Sequence, residues 1–374
     1  MKVLHLAKFY PPDHGGMESI VATLAEGAVA RGWSADVLCT RRHWRTCVDA
    51  GPGEGLVVRA GQLGMLLSTP ISPALVQETR RRVADADVVH VHLPNPMAAL
   101  ALLLAPRPRR MLLHWHSDVV TQSTARRLLG PLERWLLRRA DLIVATSQAY
   151  LEASEQLAPF RAKATVVPLG IGDNAAEPVD AQRVRAWRAR VPAGRIVLAL
   201  GRMTGYKGFD VLIDAARELS EDVTVVIVGG GALLDSLTRR AAAATRGAKV
   251  WFTGPLSTVD RDALFAIADV FCLPSTSRAE AFGVALVEAM AAGKAVVASD
   301  IPGSGVGWVN ACGLGVPPRD APALAAALRR VLDDRTLAER MGRDARLRYM
   351  ELFTAAAMNN RFDDLYRQLT VGLR

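Results

Sequence analysis

The stretch Arg195–Asp210, RIVLALGRMTGYKGFD, decides the fold. It opens on a short apolar run of strand length, passes through a glycine-bounded loop, and leads from Phe209 into a segment of helical character. A strand that runs through such a loop into a helix is the front of a βαβ unit, and open α/β sheets take their ligands beyond the carboxyl ends of the strands. Arg202 and Lys207 would stand at that end, beside a helix N-terminus. Arginine offers forked donors, lysine a point charge, and the helix start its free N–H groups, a set that suits a diphosphate. The bland alternative is two solvated loop cations. Lysine is scarce in this arginine-rich chain, so one placed between glycines in such a loop favours the phosphate reading.

The same alternation extends outward. VTVVIVGG, AKVWFTG, DVFCLPS and KAVVAS follow, each separated by a helix-like segment, and KVLHLA, ADVLC, DVVHVH, MLLHWH and DLIVAT precede in a first series. At 374 residues the chain exceeds one comfortable core. The spacing predicts an α/β protein of two doubly wound, parallel-sheet (Rossmann-like) domains facing a cleft. Residues 1–172 form the first, 173–352 the second, and IGDNAAEPVD is irregular enough to link them. A last helix over 353–374, striped with Met358, Phe362, Leu365, Tyr366 and Leu369, would cross back onto the first domain.

Half the residues are hydrophobic, which excludes general disorder, and the formal charge of +9 suits anionic partners. No nucleic-acid module is present, and the scattered aromatics make no single-strand platform, so no nucleic acid is expected. Cys39, Cys47, Cys272 and Cys312 show neither CxxC nor zinc-ligand spacing and read as reduced thiols in a cytoplasmic protein. The longest apolar run, Met97–Ala105, is far short of a bilayer span, so membrane contact would be peripheral. The segment Thr124–Ala140, TARRLLGPLERWLLRRA, could supply it: divided at Gly130-Pro131, its second part would begin a basic, Trp-bearing helix able to rest on an anionic leaflet or to pack its leucines inward.

Two carboxylates stand in Ser277–Met290, SRAEAFGVALVEAM. The spacing predicts a loop to Ala281 and a helix from Phe282 to Ala292. Glu280 then lies at the strand's carboxyl end and Glu288 about two turns along the helix. Free N–H groups around Phe282, Gly283 and Val284 face the same space. N–H groups and cations would hold phosphates while carboxylates accept from sugar hydroxyls, which is the chemistry of a nucleotide sugar. The plain alternative has Glu280 capping the helix and Glu288 paired with a surface arginine. In the first domain, Gly15-Gly16 ends the KFYPPDHGG loop, where backbone N–H groups could approach an anion.

Rivals are weaker. Asp85-Ala86-Asp87 imitates a metal-binding DxD but precedes a strand. His90 and His92, like His114 and His116, share a strand face and could form a zinc cluster, yet only Asp118 is near to complete a set. Gly229-Gly230-Gly231 lacks the acidic residue a dinucleotide loop needs at the next strand's end. Paired carboxylates also belong to glycoside hydrolases, which need no cationic cradle.

Taken together, the Glu280/Glu288 pair, GRMTGYKGFD, the Gly15-Gly16 loop and the histidine ending MLLHWHSD resemble the family 4 retaining glycosyltransferases of glycosyltransferase-B architecture, along essentially the whole chain. The resemblance implies that Arg202 and Lys207 hold the donor diphosphate, Glu280 contacts the transferred sugar, Glu288 accepts from the ribose, Gly16 lies near the donor phosphates, and His116 faces sugar and acceptor. It implies no metal or cofactor beyond the nucleotide sugar. Similarity to bacterial O-antigen, capsule and exopolysaccharide mannosyl- and rhamnosyltransferases makes GDP-mannose the leading donor, with UDP-sugars the alternative, and a glycan or lipid-linked saccharide the acceptor. A silent nucleotide-sugar-binding protein is the non-enzymatic alternative. Two departures from the family pattern stand out. Ala281 replaces a frequent glycine, and Pro302–Trp308 replaces a frequent Gly-Gly-x-x-Glu element.

Overall fold

The computed structural model describes the chain except residues 14, 67, 119–122, 174–178, 193, 244–245 and 374, and except the side chains of 123–128. The core of the expected linker, residues 174–178, lies outside the described residues. The chain forms two compact units: Met1–Gly172 with Ala355–Arg374, and Asp173–Thr354.

The strands of unit 1 are β1 (Lys2–Leu6), β2 (Ser34–Arg41), β3 (Cys47–Ala50), β4 (Leu56–Gly61), β5 (Gly64–Leu66), β6 (Thr69–Ile71), β7 (Val88–Leu93), β8 (Met111–Trp115), β9 (Leu142–Ala145) and β10 (Ala164–Val166). Eight of them make one sheet in the order β10-β9-β8-β7-β1-β2-β4-β3, parallel except for β3 against β4; β5 and β6 pair separately as a hairpin. Central strands of a parallel sheet are covered on both faces, and β7 is accordingly buried at every residue. The register sets His5 beside His90 and His92 beside His114, which brings three histidine-bearing strands together.

Helix Ala355–Thr370 belongs to this unit. It buries Met358, Phe362 and Tyr366, while Leu365 and Leu369 of the expected stripe are only half-buried. Trp33 Nε1 donates to Asp363 at 2.7 Å, fixing the helix beside Gly16–Val29. One expectation is corrected. The Gly130-Pro131 break does not begin a new helix, because a single helix runs over Ser123–Arg139. Proline removes one intrahelical bond, but Pro131 faces solvent, and the buried Leu136 and Leu137 anchor the turns after it.

Unit 2 holds β11 (Arg195–Leu200), β12 (Val223–Val228), β13 (Lys249–Gly254), β14 (Val270–Leu273), β15 (Ala295–Ser299) and β16 (Leu314–Val316). All are parallel, in the order β13-β12-β11-β14-β15-β16, which is the Rossmann order. Its core joins Phe209, Leu212 and Ile213 of helix Phe209–Ala216 to Val197, Val225 and Ile227 of the sheet. The strand order reverses between β11 and β14, so the loops leaving these two strands flank the switch point where such sheets bind ligands.

Candidate functional site

Those two loops carry the unit 2 site. Gly208, which ends the first, has φ 66°, and a Cβ there would fall 2.0 Å from the Pro274 carbonyl oxygen. Only glycine permits both the left-handed backbone and that approach. The loops are then stitched where Thr276 N donates to the Tyr206 carbonyl at 2.7 Å. Across this seam Lys207 Nζ lies 2.6 Å from Glu280 Oε2, and the side chains are only 11 % and 9 % exposed. Ser275 Oγ donates to the same carboxylate oxygen at 2.8 Å.

Burial works against the Lys207 ammonium, but the Glu280 carboxylate together with Tyr206 outweighs it and the pKa ends above that of an ordinary lysine. The residue stays a cation. Arg202 is exposed, and its charge bears on Lys207, as the charge of Lys207 bears on Glu288. The structure therefore gathers Arg202, Glu280 and Glu288 within electrostatic reach of Lys207.

The helix after the second loop begins at Val284, two residues later than the sequence predicts. Gly283 is its N-cap with φ 85°, a left-handed conformation that no helix residue adopts, and Phe282 is buried edge-on to Phe353. Among the described residues no side chain caps this start, so its first N–H groups, at Val284 and Ala285, keep their partial positive charge. Glu280 is thus not the helix cap of the plain reading, since it is paired with Lys207. Glu288 does sit against an arginine: Arg261 Nη1 lies 3.1 and 3.2 Å from its two oxygens. Burial pushes the Glu288 carboxyl above the usual range, and Arg261 pulls it back.

Three contributors escaped the sequence reading: Ser275, Ser304 and Arg261. Ser304 Oγ donates to the Glu280 carbonyl at 2.5 Å, and Gly305 N to the Ala281 carbonyl at 2.8 Å. The departing loop Pro302–Trp308 therefore braces the carboxylate loop through its backbone. Arg261 and Ser304 meet their partners across sequence gaps that only the fold closes, whereas Ser275 reaches Glu280 within one loop and is set by how that loop turns.

In unit 1, Gly15 is the N-cap of helix Gly16–Val29, with an extended φ of 171° that any residue could adopt. The nearest group to position 15 is the Glu18 carboxylate, whose oxygen would lie 2.1 Å from a Cβ there and which, as the end of a flexible side chain, could swing aside. An acid folded back over the first turn is the helix's own N-terminal anion. Gly16 opens the helix and is exposed.

His116 follows β8 and is 8 % exposed. His5, His90, His92 and His114 are fully buried beside it. His90 Nδ1 meets the Tyr366 hydroxyl at 2.7 Å, and Phe362 packs on His90 and His114 with ring centroids 5.2 and 5.0 Å away. Burial pushes His5 and His116 down to about 3, and burial together with neighbouring imidazoles pushes His90, His92 and His114 well below the ordinary value. All five rings are neutral at pH 7. A small, open apolar pocket lies in the same unit, lined by Leu93, Pro94, Pro96, Leu132 and Leu136 among others.

Two parallel-sheet α/β units, the second in Rossmann order with a cation–carboxylate pair at its switch point, define a protein of glycosyltransferase-B type. Residues 14–174 match the family described as Glycosyltransferase Family 4, and residues 184–348 match Glycosyl transferases group 1. The chain is 33 % identical over 376 residues to the O-antigen chain mannosyltransferase C of Escherichia coli, covering 99 % of each chain. It is 34 % identical over 360 residues to the D-rhamnosyltransferase WbpZ of Pseudomonas aeruginosa, covering 95 % of this chain and 93 % of that one. The sucrose-phosphate synthase of Thermosynechococcus elongatus shares the fold with a TM-score of 0.80 at 24 % identity, over 99 % of both chains. The chain belongs to glycosyltransferase family 4 and is a glycosyltransferase, as its motifs led us to expect.

Proposed function

We propose that the protein is a retaining hexosyltransferase of cell-surface polysaccharide synthesis that moves mannose from GDP-mannose onto a glycan or lipid-linked saccharide. The observation that carries this reading is the Lys207–Glu280 pair at the switch point of unit 2, where a fixed cation and a fixed acceptor stand side by side. Arg202, Lys207 and the uncapped helix start at Val284 take the donor diphosphate, and Arg202 and Lys207 stabilise the negative charge that grows on it as the glycosidic bond breaks. Glu280, held by Lys207 and Ser275, accepts from a hydroxyl of the transferred sugar and orients it. Glu288 accepts from the ribose while keeping Arg261. No carboxylate attacks, because the departing phosphate oxygen can take the acceptor proton on the same face.

Unit 1 serves the acceptor, with His116 offered to a saccharide oxygen. The likeness to a mannosyltransferase and a rhamnosyltransferase supports the donor and the pathway. No helix among the described residues is long and apolar enough to cross a membrane. Contact with an anionic leaflet therefore falls to surface groups such as Arg134, Arg138 and Arg139, which are exposed on Ser123–Arg139. Transfer needs no metal in this reading, because fixed cations already face the leaving group.

The test is a thermal-shift panel of GDP- and UDP-sugars without added metal, followed by transfer and hydrolysis assays on the best hit. A ligand that binds only the folded form raises the melting temperature. GDP-mannose should give the largest shift and support transfer. A larger shift with a UDP-sugar moves the donor assignment, and binding without turnover makes the protein a sensor.

A further inference from the structure

Five of the chain's seven histidines lie on one face of the adjacent strands β1, β7 and β8 and just beyond, a concentration that the reaction proposed above does not use except at His116. Their rings meet in two different ways. His90 with His92 and His114 with His116 are stacked, with centroids 4.3 and 4.0 Å apart. His5 Nδ1 and His92 Nε2, by contrast, lie 3.1 Å apart, and so do His92 Nδ1 and His116 Nε2. In both of these pairs the centroids are 5.4 Å apart and the planes within 20° and 25°. Such a separation, with nitrogens in hydrogen-bonding contact, places the rings edge to edge with each N–H···N bond along the line joining them.

A metal site requires the in-plane lone pairs of several imidazoles to converge on one point about 2.0–2.1 Å from each nitrogen. The nitrogens of His5, His90 and His92, and those of His92, His114 and His116, are near enough to be considered as sets. In the bonded pairs, however, each lone pair is aimed at its neighbour's nitrogen and not at a shared third point. The arrangement is that of a hydrogen-bonded chain.

A neutral imidazole has one donor and one acceptor nitrogen. Because His92 is bonded through both, its tautomer dictates the direction of the whole chain. If His116 Nε2–H donated inward, the run would end on a buried His5 Nε2–H, and His5 Nε2 meets no partner among the described residues. An orphaned buried N–H is the costlier end, and a bare nitrogen the cheaper one. The chain therefore runs outward: His5 Nδ1–H to His92 Nε2, then His92 Nδ1–H to His116 Nε2. His116 keeps its own proton on Nδ1.

We propose that His5 and His92 are positioning residues that lock His116 as its Nδ1–H tautomer, so that it serves the glycosyl transfer as a hydrogen-bond donor to a saccharide oxygen and is unavailable as a general base. This rests on the assignment of His116 to the saccharide. It fits a reaction in which the leaving phosphate takes the acceptor proton.

The experiment is nitrogen-15 NMR of the full chain labelled at histidine, with His116 assigned by His116→Gln. The expected wild-type result is a protonated Nδ1 and a bare Nε2 on His116. In His92→Leu, His116 should revert to the Nε2–H form that free imidazole side chains favour, and His5→Phe, which leaves His92 in place, should weaken the lock. A wild-type His116 protonated at Nε2, or an unchanged tautomer in a folded His92→Leu, overturns the lock. So does a stoichiometric zinc ion in protein purified without chelator, displacing both nitrogen signals. Titration with GDP-mannose separates the two readings. If the His116 signals stay still while the tautomer is as expected, the contact with the saccharide fails and the donor role falls with it.

Discussion

The two units share a doubly wound architecture and differ in the titratable groups gathered at their centres. Unit 1 holds all seven histidines of the chain, and the five in its core are neutral. Unit 2 holds none, and at its switch point it buries a charged Lys207–Glu280 pair. Neutral rings can be stacked and bonded to one another without a counter-ion. A buried ammonium can be kept only beside a carboxylate. The same fold thus stores a proton-sensitive core in one half and a charge-paired site in the other.

The largest consequence is in acid. A histidine whose folded pKa is depressed binds its proton only when the chain unfolds, so its contribution is complete above the unfolded value of 6.5 and is lost as pH falls toward the folded value, about 3 for His5 and His116. Each such group removes about 1.4 kcal/mol per pH unit inside that window. Five acting together make unit 1 steeply acid-labile. Glu288 works the other way, because a carboxyl raised in the folded state adds stability as pH falls through that raised value. Amide protection factors at pH 7 and pH 5 should show unit 1 losing protection while the strands of unit 2 keep theirs. Equal loss in both units would break the contrast.

The next effect is in unit 2. Removing one partner of a buried ion pair leaves an uncompensated charge and costs about 3–5 kcal/mol, whereas replacing both can be nearly neutral. Lys207→Ala should therefore lower the stability of unit 2 by that order and cut transfer about a hundredfold or more. Lys207→Met with Glu280→Gln should recover most of the stability and none of the transfer. Denaturant midpoints and transfer rates on the three proteins check this. Full stability in Lys207→Ala alone would mean that the pair is not desolvated.

Much of this was legible in the sequence, and the reason is periodicity. RIVLALG and VTVVIVGG read as buried parallel strands because a strand covered on both faces is a continuous apolar run. β4 did not, since Arg59 interrupts it with a side chain that pairs with Asp49 and bonds the carbonyls of Tyr10 and Pro11. Lys207 and Glu280 were visible as residue types at strand ends, and Glu288 on the helix that follows. Their partners were not. Ser275, Arg261 and Ser304 look like ordinary polar residues until the loops meet. The histidines showed their shared face by period two along β7 and β8, but His5 joins them only through the pairing of β1 with β7. The helix break expected at Pro131 failed because local chemistry was outweighed by the burial of Leu136 and Leu137.

A smaller effect separates binding from stability within unit 2. Glu288→Ala frees Arg261 and removes the proposed ribose acceptor, so GDP-mannose should bind about tenfold more weakly, or about 1.4 kcal/mol, with little change in the chemical step. Calorimetry set against single-turnover rates makes the distinction. A loss confined to the chemical step would contradict the ribose role.

The finest test is Ser275→Ala. The serine hydroxyl and the Lys207 ammonium share one oxygen of Glu280, at 2.8 and 2.6 Å. The ammonium supplies charge, but the hydroxyl, fixed at the end of β14, supplies direction. Losing it should cost about 1 kcal/mol of unit 2 stability and let the carboxylate turn about its bond to Lys207. KM for the donor should then change little while kcat falls several-fold, and the acid response of unit 1 should stay as in the wild type. If kcat is unchanged, Lys207 alone orients Glu280, and the buried pair of unit 2 is a self-sufficient device that owes nothing to the strand end beside it.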